Sequence, residues 1–215
     1  MSRTGPDFIP PARPVIGDDE IEAAVRVLRS GMVVQGPEVA GFEDDFGAVV
    51  DGRHCIAVNS GTSGLHLGLL SSGVKAGDEV IVPSFTFAAT ANSVALTGAT
   101  PVFADIEQET FCLDPAAVEA AITARTVGIM PVHLYGHPAN MTALADVAAR
   151  HDLQIFEDAA QAHGASLNGT PVGAFGKFAM FSLYPTKNMT SGEGGMVSAA
   201  DPQVEAAPPA LVREV

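Results

Sequence analysis

Four short segments of the 215-residue chain carry residue types that could do chemistry. Lys187 lies in Phe181-Ser182-Leu183-Tyr184-Pro185-Thr186-Lys187-Asn188, among apolar and small residues. Such surroundings disfavour an ammonium and make the free amine a better nucleophile. An apolar run ends in Phe156-Glu157-Asp158 and brings two carboxylates to the carboxyl end of a strand, where a cation could pair with them. In Asn59-Ser60-Gly61-Thr62-Ser63-Gly64, Gly61 lets the backbone turn tightly. The N–H groups of Thr62 and Ser63 would then point from a helix start, a natural seat for phosphate or carboxylate. Gly192-Glu193-Gly194-Gly195 permits tight backbone just past Lys187. Each segment also fits a plainer reading: a capped turn, two solvated acids, a surface lysine. His163 is assigned no role.

Taken together, the segments supply a phosphate seat, a carboxylate, an amine nucleophile and an aromatic plane in Phe85 or Phe87. Pyridoxal phosphate needs all four. It has a phosphate, a pyridine nitrogen to be kept protonated, an aldehyde that captures a lysine, and a flat ring to be stacked. An acid beside the pyridine nitrogen makes the ring an electron sink, and the lysine holds the group and moves protons on the substrate carbon.

These residues need a scaffold. Asp18 or Asp19 can cap a helix bearing Ile21, Ala24, Val25 and Leu28, and a second helix is expected over 38–50. After that, β-branched runs alternate with helical stretches. Strands are expected at 54–58, 79–82, 101–105, 127–132, 154–157, 178–182 and 195–198. Helices are expected at 62–70, 87–96, 115–122 and 141–150, with Asp114 and Pro115 opening the third of these. The alternation predicts an α/β fold, a mostly parallel sheet covered by helices on both faces. Ligands on such sheets bind beyond the carboxyl ends of the strands, where the chemical segments fall.

Composition sets further bounds. The chain is 47% hydrophobic and 17% charged, enough apolar material for a core and too little charge for disorder. A net charge of −14 argues against a nucleic-acid partner. Cys55 and Cys112 are too few for a disulfide framework or a four-cysteine metal site and fit a reducing cytoplasm. The stretch 80–104 is uncharged and long enough for a membrane span. Pro83, Gly98 and Pro101, with Ser84, Thr86, Thr90, Asn92, Ser93 and Thr97, break it up, so it reads as strand, turn, helix and strand. Met1 to Pro14, with four prolines and no long apolar run, reads as an arm and not as a signal peptide. Residues 15–199 read as one cofactor-binding domain and 200–215 as a divergent tail.

The ordered motifs resemble the DegT/DnrJ/EryC1/StrS family of pyridoxal phosphate-dependent sugar aminotransferases. They are Asn59-Ser60-Gly61-Thr62-Ser63, the run from Asp78 to Phe87, Pro131-Val132-His133-Leu134-Tyr135-Gly136, the run from Glu157 to Gly164, and Phe181 to Asn188. The resemblance implies the large domain of a fold-type-I transferase. It makes Lys187 the Schiff-base lysine and pairs Asp158 with the pyridine nitrogen. It sets Gln161 against the ring hydroxyl, Phe87 on the ring, and Gly61, Thr62, Ser63 and Ser182 around the phosphate. Some relatives carry His at the lysine position and dehydrate sugars; Lys187 favours transamination. The substrates implied are an amino-acid donor, glutamate or glutamine, and a keto group on a nucleotide-linked sugar. The partner implied is a second copy in a homodimer. The family's C-terminal small domain is not in this sequence, so a competing expectation is an inactive remnant that keeps only cofactor binding or dimerisation.

Overall fold

The computed structural model describes residues 12–200. The elements run α1 Asp18–Ser30, α2 Pro37–Val49, β1 His54–Val58, α3 Gly61–Ser71, β2 Glu79–Pro83, α4 Ala89–Leu96, β3 Thr100–Ala104, α5 Pro115–Ala121, β4 Thr126–Ile129, α6 Met141–His151, β5 Gln154–Asp158, β6 Ser166–Leu167, β7 Thr170–Pro171, β8 Phe178–Ser182 and β9 Gly195–Ala199. A 3₁₀ turn, Leu134–Gly136, links β4 to α6. The arm expected over 1–14 and the tail over 200–215 fall almost wholly outside the described residues.

Seven strands form one sheet in the order β1-β9-β8-β5-β4-β2-β3. Neighbours from β8 to β3 pair in parallel, and β9 alone runs against the rest. The expected α/β architecture is therefore present. Its inner strands β2, β8 and β9 are buried along their whole length, as strands between helices must be, while the edge strands β1 and β3 stay partly exposed. Side chains alternate accordingly. Ile81 and Ile155 face a core shared with Val118 of α5 and Leu144 and Val147 of α6. Val80, Val82, Phe156, Phe178 and Met180 face Leu65 and Leu69 of α3 and Val94 of α4. Ala179 and Phe181 pack instead on Phe46 and Val50 at the end of α2. The stretch 80–104 is strand, helix and strand, and among the described residues no helix is long and apolar enough to cross a membrane.

Helix α3 lies unusually close to the sheet. A Cβ on Gly61 would come within 2.8 Å of Met180 Sδ, one on Gly64 within 2.9 Å of Met180 Cγ, and one on Gly68 would enter the Phe178 ring. The glycine stripe 61, 64, 68 is what lets α3 approach. Gly61 itself is helical, so the tight turn expected there is replaced by close packing.

Some boundaries differ from expectation. Gly17, not Asp18 or Asp19, caps α1, because the Glu20 carboxylate reaches back to accept the Gly17 N–H at 2.6 Å. Helix α4 starts at Ala89, which leaves Phe87 outside it. Strand β4 ends at Ile129, and Val132 keeps only an isolated bridge to Asp158. The β6–β7 ribbon was not anticipated.

Candidate active site

The carboxyl ends of β1, β2, β5 and β8 and the start of the antiparallel β9 open on the same edge of the sheet. A cavity of about 370 Å³ sits there, and Gly61, Thr62, Phe87, Asp158, Gln161, Ser182 and Lys187 all line it. Residues more than 120 positions apart thus reach one site because parallel strands end together. Lys187 is half-buried in a loop closed by Leu183 N–H to Gly194 O (2.9 Å) and Ser191 N–H to Leu183 O (3.1 Å). It shares the cavity wall with apolar Phe87, Val132 and Met180 and with polar Thr186 and Glu193.

Asp158 is 5% exposed at the tip of β5. Burial pushes its carboxyl above the ordinary range. A bond from Thr90 Oγ1 to Oδ2 (2.8 Å), a backbone bond from Ala160 N–H to Oδ1 (3.2 Å) and the charge of Lys187 pull it back. Thr90 gives its only proton to the acid, so the Thr86 hydroxyl donates to Thr90 Oγ1 at 2.9 Å. The hydroxyl chain favours the ionised form against that burial, and Asp158 lines the cavity.

Gln161 accepts the Tyr135 N–H on Oε1 at 2.7 Å. That contact fixes the amide so that its NH₂ is the end left to donate. At the start of α3, Ser60 Oγ accepts the Ser63 N–H at 3.1 Å and lies 3.0 Å from Ser63 Oγ. Ser63 is thereby engaged in the cap and is not among the cavity-lining residues. The Gly61 and Thr62 N–H groups, without intrahelical acceptors, are left to face an anion. The Ser182 hydroxyl accepts the Tyr184 N–H at 3.4 Å and keeps its own proton to give. Phe87 is 74% exposed, a ring with an open face, whereas Phe85 leans on Phe111 with ring centres 6.0 Å apart.

Glu157 behaves differently from its neighbour. It is fully buried, neither solvated nor paired with an outside cation. It accepts N–H groups of Gly173, Phe175 and Gly176 and sits 3.2 Å from His133 Nε2. His163 lies against Phe181, with both ring nitrogens buried and unpartnered; burial pushes its imidazolium down. Thr86, Thr90, Tyr184, Thr186 and Glu193 join the site without having been singled out. For Thr90 the available signal was a hydroxyl four residues after Thr86 in an otherwise apolar stretch.

The residues present fit pyridoxal phosphate. Two helix-start N–H groups and a hydroxyl suit its phosphate, an acceptor-only acid its ring nitrogen, and an amide NH₂ its ring oxygen. An open aromatic face suits the ring, and a primary amine suits the aldehyde. The α/β sheet with this site defines the pyridoxal phosphate-dependent transferase class.

A model of the DegT/DnrJ/EryC1/StrS aminotransferase family matches residues 14–211, and the chain belongs to that family. It is 50% identical over 187 residues to dTDP-3-amino-3,4,6-trideoxy-alpha-D-glucose transaminase of Streptomyces venezuelae, covering 86% of this chain and 49% of the relative. It is 44% identical over 197 residues to spore coat polysaccharide biosynthesis protein SpsC of Bacillus subtilis, covering 92% and 51%. The crystal structure of S. venezuelae DesV in complex with a ketimine intermediate matches with a TM-score of 0.84 at 50% identity, covering 87% of this chain and 51% of that one. Spr1654 of Streptococcus pneumoniae in its PLP form matches with a TM-score of 0.87 at 34% identity, covering 92% and 55%. The chain spans about half the length of these relatives.

Proposed function

We propose that the chain is the cofactor-binding half of an aminotransferase that moves an amine from an amino acid to the keto group of a nucleotide-linked sugar. The observation that carries the reading is the convergence of Lys187, Asp158, Gln161 and the start of α3 on one cavity. Bound pyridoxal phosphate would supply an aldehyde to carry the amine and a ring to spread the electrons of the broken C–H bond.

The protein's own groups do the rest. Asp158, whose charged form Thr90 and Ala160 favour, would pair with a protonated ring nitrogen. Gln161 donates to the ring oxygen through its NH₂. Gly61 and Thr62 hold the phosphate with the positive end of α3, and Ser182 adds its hydroxyl. Phe87 covers the ring and excludes water from one face. Lys187 would anchor the group through Nζ and, once released, its amine would take the proton from the donor carbon in the first half-reaction and deliver one to the acceptor carbon in the second. Glutamate or glutamine is the donor in this reading, and the working form is a homodimer. The names of the S. venezuelae transaminase and of SpsC support the sugar assignment.

The test is turnover of the purified chain with pyridoxal phosphate, glutamate or glutamine, and a panel of nucleotide-linked keto sugars. Amino-sugar formation is expected, and Lys187→Ala should remove it completely. Cofactor capture without turnover on any acceptor would overturn the transfer reading and leave a binding module.

A further inference from the structure

The segment His133–Gly136 touches both residues assigned to the cofactor ring, though its own side chains are not among those that line the cavity. The His133 N–H donates to Asp158 O at 3.0 Å, and the Asp158 N–H donates to Pro131 O at 2.9 Å, which locks the tip of β5 to this segment. Two residues on, the Tyr135 N–H donates to Gln161 Oε1 at 2.7 Å. Tyr135 holds φ 54 and ψ 21, a left-handed conformation unfavourable for a bulky residue, and its ring is 74% exposed, so packing of that ring does not enforce it. Something else must pin the segment.

That pin is the His133 ring, which is fully buried. Its Nδ1 accepts the Ala139 N–H at 3.0 Å, so its proton sits on Nε2 and points to Glu157 Oε2 at 3.2 Å. Glu157 in turn gathers the N–H groups of Gly173 (2.9 Å), Phe175 (2.9 Å) and Gly176 (2.8 Å). Four donors converge on one carboxylate, a set that only an ionised, acceptor-only group can satisfy. Adjacent residues of β5 therefore have opposite tasks: Asp158 faces the cavity and Glu157 anchors the frame behind it.

We infer that His133, held by Glu157, is a positioning residue that sets where Asp158 and Gln161 point. The claim rests on the proposed cofactor only in what those two residues are pointed at. An amide at 157 would put a donor where four donors converge, loosening His133 and, through it, the Tyr135 amide.

The experiment compares Glu157→Gln with Leu144→Ala, a truncation in the α6 core, in the 215-residue chain loaded with pyridoxal phosphate. Glu157→Gln is expected to weaken cofactor affinity at least about tenfold, as loss of a supporting hydrogen-bond partner does elsewhere. It should also change the visible circular dichroism of the bound cofactor, which reports ring orientation. Leu144→Ala should lower the melting temperature and leave affinity and dichroism at wild-type values. Wild-type affinity and dichroism in Glu157→Gln would overturn the inference. Amide exchange in the wild-type chain without cofactor decides the matter even if Glu157→Gln fails to fold or the chain takes up no pyridoxal phosphate. The Tyr135 amide should be protected, and His133→Phe should expose it; unchanged protection in His133→Phe would overturn the inference. Free exchange of Tyr135 in the wild type would contradict the inference without touching the proposed function.

Discussion

Asp158 carries a charge that its surroundings only partly support. Burial raises its carboxyl above the unfolded value near about 3.9, against the pull of Thr90 and Ala160. The folded chain therefore binds a proton more tightly than the unfolded chain. That contribution to stability is full below the unfolded value and is lost as pH rises through the raised folded one. Without cofactor, wild type should lose stability relative to Asp158→Asn as pH rises from about 4 toward neutrality. Denaturant titrations of both proteins across that range check it, and parallel curves would contradict it. The cost is one a functional site pays for holding an acid ready for a cationic partner. At this scale the sequence showed Asp158, Lys187 and Gln161 well, because their motifs carry chemistry. It did not show Thr90 or the donors on Glu157, because those contacts join residues 16 to 68 positions apart and depend on the fold.

Helix α3 shows how an element serves the site. Its start reaches the cavity because Gly61, Gly64 and Gly68 let the helix settle on Met180, Val197 and Phe178. Gly68→Val should push the helix off β8 and destabilise the fold by about 1–3 kcal/mol, with weaker binding of pyridoxal phosphate as α3 shifts. Thermal melts and cofactor titration measure both; an unchanged melt would show that the stripe does not set the packing. The strands and most helices are legible from β-branched runs and from the Asp114 cap, whose side chain does accept the Ala116 N–H; Ser60 and Asn140 cap α3 and α6 in the same way. The β6–β7 ribbon carried its own signal, an Asn168-Gly169 turn with φ of 53° and 84°, too short a hairpin to stand out by periodicity. The start of α4 was misjudged because Phe87 continues the apolar pattern, yet it serves the cavity and not the helix.

At the scale of the molecule, the described residues expose apolar surface. Helix α1 has no buried residue; Ile21 and Leu28 are exposed, as are Met32, Val33 and Val34 after it, and Leu96 and Phe103 near the β3 edge. Such patches promote association, while a net charge of −14 opposes it. Light scattering should find oligomers, more of them at higher ionic strength as repulsion is screened. A stable monomer at every salt concentration would contradict this. The central claim concerns what the convergent strand ends are for: the Lys187 amine captures a pyridoxal phosphate aldehyde. The direct measurement is borohydride reduction of the chain mixed with pyridoxal phosphate, followed by peptide mass spectrometry. The account predicts a pyridoxyl mass on the peptide containing Lys187 and none in Lys187→Ala. Label absent from Lys187, or carried equally by Lys75 and Lys177, would contradict it.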